Sequence, residues 1–193
     1  MSLKTYPTIG CCGLDCGLCP RYYTVGHSRC PGCAGPNFFN KHPSCSFITC
    51  CVKKKNLEVC GECPEFPCSK FKSEEEYQQW EGSSSYPPDK KIPSNLNFIK
   101  EHGIKKFIEQ QRNRIQLLET MIKNFDDGRS KSFFCRAAAL LDLKSLKSSL
   151  DKAVRKIKTD KIKRSDVKNK AKILKETINE TALKEGIELV KKK

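Results

Sequence analysis

Residues 11–33 read CCGLDCGLCPRYYTVGHSRCPGC, and residues 60–68 read CGECPEFPC. Twelve of the chain's thirteen cysteines lie between Cys11 and Cys68, so about one residue in five of that segment carries a thiol. Short loops rich in proline and glycine separate the cysteines, and no helical or strand period of apolar residues is sustained. The segment is therefore predicted to be a small module with little regular structure.

Two kinds of chemistry use cysteine at this density: disulfides in an oxidising compartment and metal-bound thiolates in a reducing one. Residues 1–10, MSLKTYPTIG, contain no apolar run typical of a secretory signal. No later stretch approaches the roughly 20 apolar residues of a membrane span. We therefore expect a cytoplasmic protein with no membrane partner, whose Cys-rich segment is ordered by metal rather than by an apolar core.

Three pairs of cysteines are separated by two residues, and this spacing points to zinc. A C-x2-C turn places two sulfurs on one side of a tight loop, where both can reach an ion at a Zn–S distance of about 2.3 Å. Glycine or proline within or beside the pair permits the turn. We predict zinc as the cofactor, in about two four-cysteine sites. The predicted ligands are Cys12, Cys16, Cys19, Cys30, Cys33, Cys45, Cys50, Cys60, Cys63 and Cys68.

The spacing leaves open which ligands share an ion. The simplest partition places Cys16, Cys19, Cys30 and Cys33 on one ion and four of Cys45, Cys50, Cys60, Cys63 and Cys68 on the other. Crossed pairing, or ions that share sulfurs, fits the same spacing. Cys11 and Cys51 are interpreted as spare, because each adjoins another cysteine and adjacent side chains rarely point at one ion. His27 and His42 are interpreted as loop histidines, although a histidine can replace a thiolate.

Iron is the alternative metal. Cys12, Cys16 and Cys19 have the C-x3-C-x2-C spacing with which radical S-adenosylmethionine enzymes hold an iron–sulfur cluster. Leu18 stands where those enzymes usually have an aromatic residue, and the rest of the sequence lacks the strands of their partial barrel. An ordinary iron–sulfur cluster stays open as an alternative cofactor, because four thiolates suit both zinc and iron.

Three motifs together resemble those of a known family: Cys12-Gly-Leu-Asp-Cys16-x2-Cys19-Pro, Cys30-Pro-Gly-Cys33 and Cys60-Gly-Glu-Cys63-Pro-Glu-Phe-Pro-Cys68. They are similar to the Cys-rich family of bacteria and archaea catalogued as domain of unknown function 3795. The resemblance covers Ile9 to Lys72 and extends to residues 126–141 in longer members. It implies a metal-binding cysteine cluster and no established activity. Cys11 and Cys51 lie outside the family's usual pattern.

Composition divides the chain into a Cys-rich metal-binding module at 1–72, a polar connector at 73–94 and a Lys-rich helical region at 95–193. The predicted fold class is therefore an irregular, metal-stabilised module followed by a mainly α-helical region. In the connector, Ser73 and the three glutamates after it predict the capped start of a short helix. Trp80 is interpreted as a packing anchor.

Apolar spacing predicts four helices after the connector. The first two cover residues 104–125 and 133–141. The inward faces of the third and fourth are predicted to be Leu146, Leu150, Ala153 and Ile157, and Val167, Ala171, Leu174, Ile178 and Ala182. Asp166, with Ser165, is predicted to cap the fourth. A short strand pair between residues 161–163 and 187–193 is also expected.

Arg129, Ser130 and Lys131 form a candidate anion site. They stand just before the helix predicted at Phe133, where free backbone N–H groups and basic side chains favour a phosphate or carboxylate. The alternative is that a serine simply caps this helix. Cys135 lies in an apolar run and is interpreted as a small buried hydrophobe rather than a nucleophile.

The formal charge of +15 is concentrated near the end of the chain, where residues 141–193 carry 17 basic and 8 acidic residues. No metalloprotease, nucleotide-binding or serine-hydrolase motif is evident, so we name no catalytic residue and favour a binding or scaffold module with a protein partner. Nucleic acid is an alternative partner, because the basic excess suits phosphate contacts. An iron–sulfur or thiol redox protein is the alternative from the enzyme class.

Overall fold

Residues 2–42, 44–71 and 87–189 are described by a computed structural model of the chain. The predicted helix after Ser73, together with Trp80, lies outside the described residues. The chain divides into two compact units, an N-terminal unit at Met1–Arg112 and a C-terminal unit at Asn113–Lys193. The predicted division at 1–72, 73–94 and 95–193 stays a prediction, since most of the connector is not among the described residues.

Six helices are described, and we number them in chain order. They are α1 (Ser46–Ile48, continued as a π-helix over Thr49–Lys54), α2 (Ile92–His102), α3 (Ile104–Phe125), α4 (Lys131–Leu140), α5 (Leu143–Thr159) and α6 (Val167–Lys184). Single 3-10 turns lie at Cys16–Leu18, Phe38–Asn40, Cys60–Glu62, Ser69–Phe71 and Pro87–Lys91. The unit boundary falls within α3. The predicted order, an irregular Cys-rich segment followed by helices, is confirmed.

The expected strand pair is wrong for the described residues 161–163 and 187–189, which contain no strand. Lys161 has a left-handed φ of 51°, and the N–H of Ile162 donates to the Ile157 carbonyl at 3.1 Å. The N–H of Ile187 likewise donates to the Ala182 carbonyl at 2.8 Å. In both segments a backbone N–H group therefore closes the end of the preceding helix, and the segment does not pair as a strand. None of the helices in the described ranges combines the length and apolar character of a membrane span.

The N-terminal unit has an apolar core, which corrects the expectation that metal alone orders the Cys-rich segment. The loops of that segment contribute Ile9, Cys11, Ala34, Ile48, Cys51, Val59, Cys60, Phe66 and Phe71. Helices α2 and α3 contribute Ile92, Leu96, Ile99, Phe107 and Ile108. The loop residues are too irregularly spaced to show a period, so the sequence alone does not reveal that two distant helices complete their core.

Helix α2 packs directly on the cysteine loops, with Leu96 fully buried. A Cβ added at Gly61 would lie 2.6 Å from the Leu96 carbonyl oxygen, and one added at Gly13 would lie 2.6 Å from Leu96 Cγ. The Asn95 side chain also donates to the Gly13 carbonyl at 2.9 Å. Glycine is therefore needed where both cysteine loops touch α2.

A buried polar network joins the start of the Cys-rich segment to α3. The Gln111 amide nitrogen donates to Asp15 Oδ1 at 2.6 Å and to the Thr8 carbonyl at 2.9 Å, and its oxygen accepts from the Thr8 hydroxyl at 2.7 Å. Gln111 is 2% exposed and Asp15 is 8% exposed. Because buried polar groups are costly when unpaired, this network selects one position of α3 against the loop.

In the C-terminal unit, α5 and α6 form an antiparallel pair. Ser149 Oγ lies 2.7 Å from Thr181 Oγ1, and the Asp142 N–H donates to Glu185 at 3.1 Å. Of the predicted inward residues, Leu146, Leu150 and Ala153 of α5 and Ala171, Leu174, Ile178 and Ala182 of α6 are buried, whereas Ile157 and Val167 are half-buried. Asp166 accepts from the Asn169 N–H at 3.1 Å, which confirms the predicted cap of α6.

Helix α4 is buried along most of its length, and Cys135 is fully enclosed, as predicted for a small hydrophobe. The Arg114 guanidinium donates to the carbonyls of Ala138 at 2.7 Å and Leu141 at 2.8 Å. These carbonyls lie at the end of α4, where backbone acceptors lack helical partners. A charged donor therefore both caps the helix and favours the negative end of its dipole.

Replacing Gly61 by alanine tests the contact between the cysteine loop and α2. The added methyl meets the Leu96 backbone oxygen at 2.6 Å, so we expect a loss of about 1–3 kcal/mol in the free energy of unfolding. Gly26→Ala is the control, because its Cβ meets nothing within 4 Å and its φ of 81° adds only backbone strain. Urea denaturation measures both, and a Gly61→Ala loss no larger than the control's would contradict this contact.

Candidate metal centre

Two of the three C-x2-C pairs lie on 3-10 turns with matching backbones. The Cys19 N–H donates to the Cys16 carbonyl at 3.2 Å, and the Cys63 N–H donates to the Cys60 carbonyl at 3.0 Å. Cys19 has φ and ψ of −80° and 134°, and Cys63 has −80° and 131°. A proline follows each pair. The same local sequence therefore builds the same turn twice, with its two cysteines on one tight loop.

The third pair, Cys30 and Cys33, turns through Gly32, which has a left-handed φ of 84°. The Cys33 N–H donates to the Pro7 carbonyl at 2.8 Å. A Cβ on Gly32 would lie 2.3 Å from that same oxygen. Only glycine therefore lets this turn close against the start of the chain.

The first cysteine group contains Cys12, Cys16, Cys30 and Cys33, whose thiols lie within electrostatic reach of one another. Desolvation, followed by the charges of Cys33 and Cys12, raises the pKa of Cys16 well above its usual value. Desolvation also raises the pKa of Cys12 to about 11, against an opposing hydrogen bond from the backbone at Leu14. Cys45 also acts on Cys12. Without a cation, the thiols of Cys12 and Cys16 therefore stay protonated at neutral pH.

The second cysteine group contains Cys50, Cys51, Cys60, Cys63 and Cys68, which line one small cavity. Its volume is about 30 Å³, enough for a single ion or water. Lys55 and Glu65 stand at the same cavity, where Lys55 Nζ lies 3.3 Å from Cys63 Sγ and 2.6 Å from Glu65 Oε1. The hydrogen bonds to Glu65 and then to Cys63 raise the pKa of Lys55. All the cysteines predicted for the second site, except Cys45, meet here.

Cys11 and Cys51, interpreted from the sequence as spare, lie among the other thiols. They are 1% and 3% exposed. Cys11 Sγ lies 3.8 Å from Cys33 Sγ, and its thiol also interacts with Cys51, which in turn interacts with Cys60. The hydrogen bond with Cys33 lowers the pKa of Cys11, but the hydrogen bond with Cys51 and burial outweigh it and raise that pKa to about 12.

The sequence contains a pattern that predicts the burial of Cys51. Cys51 follows the buried Ile48 by three residues in α1, so both side chains lie on the same inward face. Cys11 has a weaker signal of the same kind, since it stands two residues after the buried Ile9. Neither pattern was used in the sequence interpretation, because each of these residues adjoins another cysteine and was therefore interpreted as spare. In each adjacent pair, Cys11-Cys12 and Cys50-Cys51, one residue is less exposed to solvent than its neighbour.

Lys4 places a buried cation beside these thiols. It is 5% exposed, and its ammonium donates to the Ile9 carbonyl at 2.6 Å. Within the part of the chain that the structure describes, no carboxylate forms an ion pair with it. Its positive charge acts instead on Cys11, Cys33 and Cys51, where it favours the thiolate form.

The two loop histidines differ in their surroundings. His42 Nε2 lies 3.4 Å from Cys30 Sγ, and its ring stacks on Phe38 at 4.4 Å between centroids. Desolvation, with smaller effects from Arg21 and Lys41, lowers the pKa of His42, so its neutral form is favoured. His27 is exposed. A histidine substitute for a first-group thiolate would therefore be His42.

Over residues 2–42, 44–71 and 87–189, no three His, Cys, Asp or Glu side chains are arranged to hold one metal ion. The kind of ligand available nevertheless fits a thiophilic metal. The described residues contain two groups of at least four cysteines, and the members of each group lie near one another. Two sulfurs on one tetrahedral zinc stand about 3.8 Å apart for Zn–S bonds of about 2.3 Å. The Cys11–Cys33 separation of 3.8 Å has that value. Cys19, half-buried at the end of its turn, lines no part of the second-group cavity.

The candidate anion site at Arg129, Ser130 and Lys131 already holds carboxylates of the chain itself. Asp126 Oδ1 accepts from the N–H groups of Gly128, Ser130 and Lys131 at 3.2, 3.1 and 3.1 Å. Asp127 Oδ1 accepts from the Arg129 N–H at 3.1 Å and from the Ser130 hydroxyl at 2.6 Å. The hydrogen bond from Ser130 is the main cause of the lowered pKa of Asp127. An external anion would compete with both carboxylates, and we do not propose one.

Replacing Asp126 by alanine removes the acceptor for three backbone N–H groups at the start of α4. We expect a loss of about 1–2 kcal/mol in the free energy of unfolding, as for other lost helix caps. Phosphate should stabilise this variant more than the unsubstituted protein, because the freed N–H groups can bind it. Thermal denaturation with and without phosphate checks both effects. Asp151→Ala, at an exposed position of α5, is the control, and equal losses in the two variants would contradict the capping role.

Comparison with known proteins gives one match. Residues 8–73 match the family described as "Protein of unknown function (DUF3795)". Neither the comparison with curated proteins nor that with solved structures found a match. The matched segment contains every predicted metal ligand and ends before residues 126–141, to which the resemblance was expected to extend. The resemblance predicted from the three cysteine motifs is therefore confirmed over residues 8–73.

Proposed function

We propose that the N-terminal unit binds zinc through cysteine thiolates, in about two four-sulfur sites, and that the chain serves as a binding module rather than as an enzyme. The observation that carries the proposal is the buried ammonium of Lys4 beside Cys11, Cys33 and Cys51. This cation needs a negative partner, and the thiols are the groups available to supply one.

The buried charge of Lys4 distinguishes a metal–thiolate site from free thiols and from disulfides. Removing an ammonium from water costs several kcal/mol unless an opposite charge compensates. Protonated thiols are neutral, and so are disulfides, so neither would compensate Lys4. A divalent ion with four thiolates carries about −2. A metal–thiolate site therefore explains why a cation is buried among cysteines.

The two cysteine groups supply the proposed ligands. The first site would draw on Cys12, Cys16, Cys30 and Cys33. Cys19 shares the turn of Cys16, and Cys45 acts electrostatically on Cys12. The second would draw on the cysteines that line the cavity, namely Cys50, Cys60, Cys63 and Cys68. Sites filled by four thiolates leave no open position for substrate, so they stabilise loops rather than catalyse. An iron–sulfur cluster, which uses the same thiolates, is the alternative cofactor.

The loops held by the first group present apolar side chains to solvent. Val25, between Cys19 and Cys30, is 90% exposed, and Phe39 in the 3-10 turn Phe38–Asn40 is 42% exposed. These are the apolar side chains of the loops that a protein partner would contact. They support a protein partner for this unit.

Metal content tests the proposal directly. We expect about two zinc ions per chain in protein purified without oxygen, and no visible absorption. Cys30→Ser and Cys63→Ser should each lose one zinc and lower the midpoint of thermal unfolding, because metal binding and folding are coupled. Lys4→Met should lower zinc affinity about 10–100-fold, the usual effect of losing a group that supports metal ligands.

Cys135→Ala is the matched control, since it removes a buried thiol of the C-terminal unit. It should keep both zinc ions. Iron and inorganic sulfide in a brown protein would show that the cofactor is an iron–sulfur cluster rather than zinc. A chain with neither metal, or one whose zinc survives both serine substitutions, would overturn the proposal.

Nucleic acid is a second candidate partner, favoured by basic residues at the end of α5 and in its connection to α6. Six basic side chains between residues 155 and 164 are exposed, and Asp160 is the one acid among them. The six are Arg155, Lys156, Lys158, Lys161, Lys163 and Arg164. Such a cluster suits the phosphates of a nucleic acid, whose binding releases counterions.

The salt dependence of binding tests this second candidate. The triple variant Lys161→Ala, Lys163→Ala, Arg164→Ala should reduce the slope of log affinity against log salt by about 2–3, or about 0.9 for each lost phosphate contact. The control replaces Lys105, Lys106 and Lys123, which are also exposed, by alanine. Fluorescence anisotropy with a labelled duplex measures both. Equal slopes in the two variants would remove this cluster as the contact surface.

A further inference from the structure

The sulfur of Cys11 lies between the two cysteine groups. On one side it is 3.8 Å from the sulfur of Cys33, a member of the first group. On the other side its thiol interacts with Cys51, which belongs to the second group and itself interacts with Cys60. A continuous run of sulfur contacts therefore leads from Cys33 to Cys60 through the interior of the N-terminal unit.

We propose that Cys11 is a bridging thiolate, bound at once to one metal ion of each group, so that the two sites form a single sulfur-bridged centre. This inference rests on the proposed zinc function and adds the connection between the sites. Cys11 lies outside the three C-x2-C motifs, so those motifs do not identify it as a ligand. Its sulfur lies 3.8 Å from one thiol of the first group and its thiol interacts with one thiol of the second, as a ligand shared between the groups would.

Burial explains why a bridge suits this site better than two separate ions. Two independent four-thiolate zinc sites carry a combined charge of about −4. When Cys11 takes one of the four ligand places on each ion, seven thiolates are bound in all and the combined charge falls to about −3. Less buried negative charge then needs compensation. Lys4, which acts on Cys11, Cys33 and Cys51, stands where its charge offsets the shared region.

A backbone hydrogen bond also prepares this region for negative sulfur. The N–H of Cys11 points to Cys33 Sγ at 3.5 Å. Hydrogen bonds to a charged acceptor are stronger than those to a neutral one. The Cys11 backbone and the Lys4 ammonium therefore both favour thiolate at the contact between Cys11 and Cys33. A disulfide between these two residues would instead remove both charges and leave Lys4 uncompensated.

The test uses the full chain loaded with ¹¹³Cd, which prefers thiolate ligands as zinc does. We expect two ¹¹³Cd resonances that show mutual scalar coupling, because coupling between metals requires a shared ligand atom. Cys11→Ser should abolish the coupling, and Cys135→Ala should retain it. Since Cys11→Ser removes a buried thiol and can unfold the unit, a second measurement needs no variant: X-ray absorption of the zinc-loaded protein should contain a zinc–zinc scattering path.

The outcomes separate this inference from the function on which it rests. Two cadmium resonances without coupling, together with no zinc–zinc path, would overturn the bridge and leave two separate metal sites. Coupling that persists in a folded Cys11→Ser variant would assign the bridge to another sulfur and overturn the role of Cys11. A chain that binds neither cadmium nor zinc would overturn the proposed function itself.

Discussion

The N-terminal unit depends on burying thiols and apolar side chains in one core. Cys11, Cys51 and Cys60 pack with Ile9 and Leu96, and a protonated thiol behaves there as a small hydrophobe. The same sulfur becomes an anion when it binds a metal. The charge state of this core is therefore set by the ion it holds, which couples metal content to the packing of loops and helices together.

The contacts around this core hold the cysteine loops against helices α2 and α3. Helix α2 approaches the cysteine loops so closely that glycine is required at residues 13 and 61, and the Gln111–Asp15 hydrogen bond fixes α3 against the same segment. These contacts within the protein position the cysteine turns without the help of a metal ion. A site whose loops are already braced loses less conformational entropy when it binds a metal.

The C-terminal unit shows how a chain can occupy its own candidate site. Backbone N–H groups at the start of α4, with Arg129 and Lys131 beside them, have the features of an anion site, and Asp126 and Asp127 supply the anion. The exposed basic side chains between α5 and α6 have fewer acidic neighbours. The surface of this unit that suits phosphate is therefore the helical connection rather than the helix start.

The sequence by itself determined the helices after residue 104, their buried faces and the Asp166 cap, because a 3.6-residue period and a capping residue are local properties. It also determined the three C-x2-C turns and the family resemblance over residues 8–73. Only the tertiary structure decided that Leu96 and Ile99 complete the core of the cysteine loops, and that Cys45 acts electrostatically on Cys12 and does not line the second-group cavity. It alone placed Cys11, Cys51 and Lys4 together. Those relations join residues far apart in the chain through irregular loops, where no period in the sequence records which side chain faces inward.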